Sequence, residues 1–212
     1  MALLLTGCVS RGTMGAVKTR VTERPSSRAS GDEHVATIYL AGGCFWGVEK
    51  YIASIHGVLN AEVGYANGTV DSPTYGQVST GLTGDAETVR VDYDPTVAPL
   101  PFILDLFYKA IDPTSVNRQG NDAGTQYRSG IFYADYADRP VIERSIAKLK
   151  AGYDKPIAIQ VTALTSFTQA EAYHQDYLEK NPGGYCHIGG DLFKNAADAV
   201  PDPSYFTTSP AE

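Results

Sequence analysis

Between His34 and Ile55 the chain reads HVATIYLAGGCFWGVEKYIASI, a strand that runs directly into a helix. The opening β-branched and aromatic run, stopped by Gly42-Gly43, predicts a buried strand. Val48, Tyr51, Ile52 and Ile55 then recur at helical spacing. The two meet at Cys44, so a thiol stands at a helix N-terminus. Free backbone N–H groups and the helix dipole favour an anion there. That placement predicts a depressed pKa and partial thiolate near neutrality. Gly42 and Gly43 permit a tight turn and leave room beside the sulfur. A thiol so placed can be a packed core residue, a metal ligand, half of a disulfide or a nucleophile.

Outward from this unit the elements mix. GVLNAEVGYANG reads as a strand with a turn at Asn67-Gly68, and ETVRVDYDP as an alternating strand ending at Pro95. LPFILDLFYKAI puts Phe102, Ile103, Leu106, Phe107 and Ala110 on one helical face after Pro101. SGIFYADY is a strand, and PVIERSIAKLKAGY a helix with Val141, Ile142, Ile146 and Leu149 inward. IAIQVTAL reads as a strand. TQAEAYHQDYLEKN predicts a helix capped by Thr168 with Glu171 in the capping-box position, stopping at Asn181-Pro182-Gly183-Gly184. Strict βαβ alternation is missing, which favours an α+β layered domain.

The chain has 212 residues, 43% hydrophobic and 19% charged, which suits one globular domain with a sizeable core. A formal charge of −7 argues against a broad nucleic-acid surface. Cys8, Cys44 and Cys186 form no C-x-x-C pair, so a structural zinc site is poorly supported. They are too few for a disulfide scaffold, although one Cys44–Cys186 bond stays open. No dinucleotide fingerprint or P-loop motif is found, and no apolar run approaches the roughly 20 residues of a membrane span. MALLLTGCVS resembles a bacterial lipoprotein signal with Cys8 as the lipid-bearing residue. Its apolar run is short and lacks a basic flank, as if the full signal began upstream; the plainer alternative is a chance apolar start. The expected organisation is a leader and flexible linker over 1–33, a catalytic domain over 34–190 and a loose tail over 191–212.

Several residues invite chemistry, each beside a blander reading. Cys186, in NPGGYCHIGG, is expected on a mobile, exposed glycine loop, suited to reach another sulfur or else a free surface thiol. Its neighbour His187 reads first as a solvated loop histidine. Glu87, in TGDAETVRV, could be a proton donor if buried, or a solvated strand-edge residue. QGNDAGTQYRSGIF could network Asp122, Gln126, Tyr127 and Arg128, and SPTYGQV offers Tyr75; both also fit polar loops. Phe45 and Trp46 are adjacent on a helix and cannot share a face, so one of them should border the thiol's approach.

Taken in order, GGCFWGVEKYI, SPTYGQV, TGDAETVRVDYDP, QGNDAGTQYRSGIF and YHQDYLEKNPGGYC resemble the peptide-methionine (S)-sulfoxide reductases of the MsrA family, from Ile38 to about Gly190. The resemblance implies a two-layer α+β sandwich of ferredoxin-like type, a mixed sheet carrying helices and a long C-terminal coil. It implies that Cys44 attacks the sulfoxide sulfur and Glu87 protonates or hydrogen-bonds the developing S–O oxygen. Tyr75 and Tyr127 would hold that oxygen, with Asp122 in the same polar network. Phe45 and Trp46 would form the apolar wall for the substrate methyl group. Cys44 would be left as sulfenic acid, which Cys186 would resolve to a disulfide for a thioredoxin-type dithiol to reduce. The implied partners are oxidised proteins, peptides or free methionine sulfoxide, acted on by a monomer without bound metal, flavin or nicotinamide. Some relatives carry a further recycling cysteine near the C-terminus; none follows Cys186 here. A papain-like cysteine hydrolase with His174 or His187 as base, and a non-catalytic peptide-binding lipoprotein, are the rival readings.

Overall fold

The computed structural model describes residues 34–206. Cys8, its lipid-anchor reading and the linker expected over 9–33 lie outside those residues. Strand β1 (Ala36–Gly42) enters helix α1 (Phe45–Ala53) after only Gly43 and Cys44. Gly43 has φ of +87°, and a Cβ there would lie 2.5 Å from that of Gln119, so only glycine makes this turn. Next come β2 (Val58–Ala66), the one-turn α2 (Tyr75–Val78) and β3 (Ala86–Tyr93). Helix α3 (Leu100–Ala110) follows, with Pro101 in its first turn, where no intrahelical N–H is needed. Strands β4 (Arg118–Gln119) and β5 (Asp122–Ala123) pair only with each other. After a 3₁₀ turn (Thr125–Tyr127) come β6 (Ser129–Tyr133), α4 (Arg139–Lys150), β7 (Gln160–Ala163), β8 (Phe167–Gln169), α5 (Tyr177–Lys180) and α6 (Gly190–Ala197).

Six strands form one sheet in the order β7-β6-β1-β3-β2-β8. The β6–β7 pair is parallel and the others are antiparallel. The run β1-α1-β2-β3-α3-β6 therefore supplies the central order β6-β1-β3-β2, the ferredoxin-like arrangement expected from the sequence. Alternation decides the layers. Ile38, Leu40, Val89, Val91 and Ile131 point to one face and are fully buried against Val48, Ile52, Ile103, Phe107 and Ile142 of the helices. The other face carries a small cluster of Ala41, Ala66, Ala86 and Phe132 beneath Leu164 and Phe167.

Two expected elements differ. The helix predicted over 168–181 is replaced by β8, which contains Thr168, then turns, then four residues of α5. Long-range bonds win over local propensity there. Glu171 accepts from the Tyr65 hydroxyl (2.7 Å) and the Tyr75 N–H (2.9 Å), while Gln175 bonds both N–H and C=O of Val63. Residues 191–206 are not a loose tail: α6 packs Leu192, Phe193 and Ala196 on the core, and the Tyr205 hydroxyl donates to Asp105 Oδ2. Three apolar residues over two turns are too few for periodicity to register in the sequence.

Candidate active site

Cys44 is the residue before the first helical turn of α1 and is 7% exposed. Burial, and then the Glu87 carboxylate beside it, push its thiol well above the usual range. Only the Trp46 backbone N–H acts the other way. The depressed pKa expected from the helix end is therefore overturned. A helix terminus contributes about 0.3–1 kcal/mol, less than the roughly 1.4 kcal/mol that moves a pKa by one unit. Desolvation of a buried thiolate outweighs it.

Glu87 stands on β3 opposite Tyr65 of β2 and is 2% exposed. Its Oε2 accepts the Phe45 N–H at 3.1 Å, so the carboxyl is fastened to the start of α1 next to the thiol. Burial pushes it up to about 8; the Phe45 N–H opposes this and Asp122 adds to it. At neutral pH Glu87 is a buried carboxylic acid able to give a proton. Its residue class was legible in the sequence, but its burial was not.

The remaining polar residues gather around this pair. Tyr75 opens α2 and Tyr127 closes the 3₁₀ turn, and the Tyr127 hydroxyl reaches that of Tyr75. Burial, and then the Glu87 carboxylate, push both phenols up. Cys44 acts on both as well. Asp122, on β5, bears electrostatically on Cys44, Glu87, Tyr127 and Cys186, and its Oδ2 is buried without a hydrogen-bond partner. Gln126 and Arg128 point elsewhere, towards the Ser79 carbonyl and Gln160.

The two aromatics divide as helix geometry requires. Phe45 is 1% exposed, whereas Trp46 is half-buried. The indole is fixed twice: Nε1–H donates to His174 Nδ1 at 3.0 Å, and the ring stacks on Tyr177 at 3.7 Å. His174 is 1% exposed, and its ring also packs against Phe45 (5.1 Å) and Tyr75 (4.5 Å). Burial holds its imidazole below the usual range, though Glu171 opposes this. The neutral ring accepts at Nδ1 and carries its proton on Nε2, 3.9 Å from Glu171 Oε2. Glu49 of α1 completes the support by accepting the Asp176 N–H at 3.0 Å. Sequence reasoning placed Glu171 in a helix cap and His174 in a rival mechanism, and it missed Tyr177 and Glu49. The available signal was the density of polar side chains in a segment too poor in apolar residues to pack by itself.

Cys186 is brought to the same place, but it is neither fully exposed nor on a free loop. It is half-buried against the core, and its Sγ accepts the Ile188 N–H at 3.4 Å. Both cysteines are free thiols. Burial pushes the Cys186 thiol up, while the Ile188 N–H and Lys50 pull it down. His187 is also not solvated: both ring nitrogens are buried, and burial lowers its pKa. Among the described residues no group of three His, Cys, Asp or Glu side chains could hold a metal ion.

A neutral acid held against one thiol, with a second thiol in electrostatic reach, equips a thiol-dependent oxidoreductase. Residues 36–201 match the family described as Peptide methionine sulfoxide reductase, and the chain belongs to that family. It is thus an oxidoreductase acting on a sulfur group. A protein named Peptide methionine sulfoxide reductase MsrA from Lachnoclostridium phytofermentans is 57% identical over 163 residues, 77% of this chain and 98% of that one. Mxr1 from Saccharomyces cerevisiae in reduced form superposes with a TM-score of 0.70 at 38% identity, covering 73% of this chain and 91% of that one. Methionine sulfoxide reductase A of Corynebacterium diphtheriae gives 0.67 at 36% identity, covering 81% and 85%.

Proposed function

We propose that this chain reduces methionine-S-sulfoxide, free or within oxidised proteins, by a two-thiol cycle. The observation that carries the reading is the buried Glu87 carboxyl, fastened beside Cys44 by the Phe45 N–H and pushed by burial towards its protonated form. Trp46, backed by Phe45, receives the substrate methyl group. Tyr75 and Tyr127 hold the sulfoxide oxygen. Glu87 gives its proton to that oxygen as the Cys44 sulfur attacks the substrate sulfur. The raised thiol pKa fits this order: as the substrate's polarised S–O group enters, the Cys44 proton passes to the Glu87 carboxylate that has given up its own. The hydroxyl then moves from the substrate sulfur to the Cys44 sulfur as the bond between the two sulfurs breaks, so methionine departs and Cys44 becomes a sulfenic acid. Cys186 then forms a disulfide with Cys44, and a thioredoxin-type dithiol reduces it by exchange. Asp122 tunes the field on Cys44, Glu87, Tyr127 and Cys186.

Turnover of a resolved sulfoxide pair with thioredoxin as reductant tests this. Methionine is expected from the S epimer only; equal rates on both epimers, or none on S, overturn the reading. The leader adds a finer proposal, supported by the apolar run ending in Leu-Thr-Gly-Cys: Cys8 carries a lipid that anchors the catalytic domain outside the cytoplasm. Radiolabelled palmitate appearing on the wild-type chain and absent from Cys8→Ser is the expected result. We propose a monomer as the working form, to be read by sedimentation of the Cys8→Ser variant.

A further inference from the structure

Gly47 is an oddity on α1. It lies inside the helix, where glycine is the poorest former after proline. Its φ is ordinary, so the backbone does not ask for glycine. Space does: a Cβ built there would stand 2.9 Å from Cys186 Sγ, inside van der Waals contact. The next atoms it would meet are Ile188 Cδ1 at 3.5 Å and His187 Cε1 at 3.6 Å, so the 186–188 segment covers this position. Gly47 is the third helical residue after the N-cap Cys44, so it lies one turn on from it. Lys50 follows three residues later on the same face, and its ammonium pulls the Cys186 thiol toward ionisation.

We propose that Gly47 is the seat of the resolving cysteine: its missing side chain holds Cys186 Sγ one helical turn from Cys44 and thereby sets the rate of disulfide closure. The inference rests on the two-thiol cycle above. In the step concerned, the Cys186 sulfur attacks the Cys44 sulfenic sulfur. The S–S bond forms, the S–O bond breaks, and the hydroxyl leaves as water with the Cys186 proton. Cys186 is oxidised as the sulfenic sulfur is reduced to the disulfide level, so no other reactant is needed. A sulfur already resting on the correct helix face has little freedom to lose before it attacks. Burial raises its thiol pKa overall, and the Ile188 N–H and Lys50 offset only part of that where it rests. Gly47 has no side chain to act in the first step, so it is a positioning residue for the second.

The test uses Gly47→Ala in a Cys8→Ser background. One equivalent of methionine per enzyme should form from the S-sulfoxide at the unmutated rate. Closure of the disulfide, followed by thiol titration after that burst, should slow at least tenfold, and a dimedone-type reagent should trap the longer-lived sulfenic acid. Thioredoxin-driven turnover should fall with closure. Turnover with excess dithiothreitol, which attacks the sulfenic acid directly, should not. Closure at the unmutated rate, or equal slowing of both steps, overturns the proposal. A bulky maleimide gives a second readout independent of turnover. Adding Gly47→Ala to Cys8→Ser/Cys44→Ser should raise Cys186 labelling about tenfold, and unchanged labelling counts against the seat. Cys186→Ser separates the two levels. If it sustains full thioredoxin turnover, the two-thiol cycle fails; if it stalls while Gly47→Ala behaves as unmutated, only the seat fails.

Discussion

The two walls of the site are built on different principles. One wall is β3 and the start of α1, regular elements whose backbone bonds close within the sheet and helix and which carry Glu87 and Cys44. The other runs from Ala170 to Ile188, with four residues of α5 as its only helix, and is tied down by side chains reaching other elements. The first wall holds the reacting groups. The second holds Trp46 through His174 and Tyr177, and presents Cys186. Chemistry is thus placed where the backbone is over-determined. Aim and recycling are placed where a handful of side-chain bonds decide the geometry.

That contrast predicts different kinetic signatures. The largest effect should come from the regular wall: Glu87→Gln should slow single-turnover sulfoxide reduction by about 10²–10⁴ while leaving disulfide reduction by thioredoxin intact. Rapid-quench measurement of methionine release checks this, and an unchanged rate removes Glu87 from the chemistry. Next is the irregular wall. His174→Phe deprives the Trp46 N–H of its acceptor and leaves a half-buried donor unpaired, on the order of 1–3 kcal/mol. The loss, about 5- to 150-fold in kcat/KM, should appear mainly in KM. His174→Asn keeps an acceptor near the Nδ1 position and should recover most of it. If both variants fall alike in kcat, the two walls are not functionally distinct.

The remaining prediction concerns stability rather than rate, as a pH dependence. The folded pKa of Glu87 is raised to about 8 from an ordinary 4.5, because burial disfavours the ionised form. The unfolded chain releases that proton first, so the contribution is fully present below about pH 4.5 and is lost as pH rises through about 8. Glu49, raised to about 7 by burial, acts in the same direction over a narrower window. Glu87→Gln should therefore lose part of the fall in Tm between pH 5 and pH 9 and should melt higher than the unmutated protein at pH 9. Differential scanning calorimetry at the two pH values reads it. A Glu87→Gln profile parallel to the unmutated one would mean that the carboxyl is already ionised in the folded protein.

What the sequence disclosed follows the same divide. The strand-to-helix turn at Gly43-Cys44 and the inward faces of α1 and α3 were legible, because their apolar spacing is local. The residues around Glu171, His174 and Gln175 looked helical, because their true partners, Tyr65, Trp46 and Val63, lie more than 100 residues away. No local pattern encodes such bonds. The Cys44 thiol was misread for a related reason: the helix end is local, but its burial under Glu87 and the surrounding strands is a property of the whole fold. Phe45 and Trp46 could be told apart in principle and assigned only in the structure.

Trp46 is the only tryptophan in the chain. Its indole rests on Tyr177 and is bonded to His174, both in the irregular wall. The intrinsic fluorescence of this protein is therefore a local signal. In a denaturant titration it reports release of the 170–188 segment from the indole, whereas far-ultraviolet circular dichroism reports the sheet and the long helices. A fluorescence midpoint at lower denaturant than the dichroism midpoint would mark the active-site wall as the first part of the molecule to open.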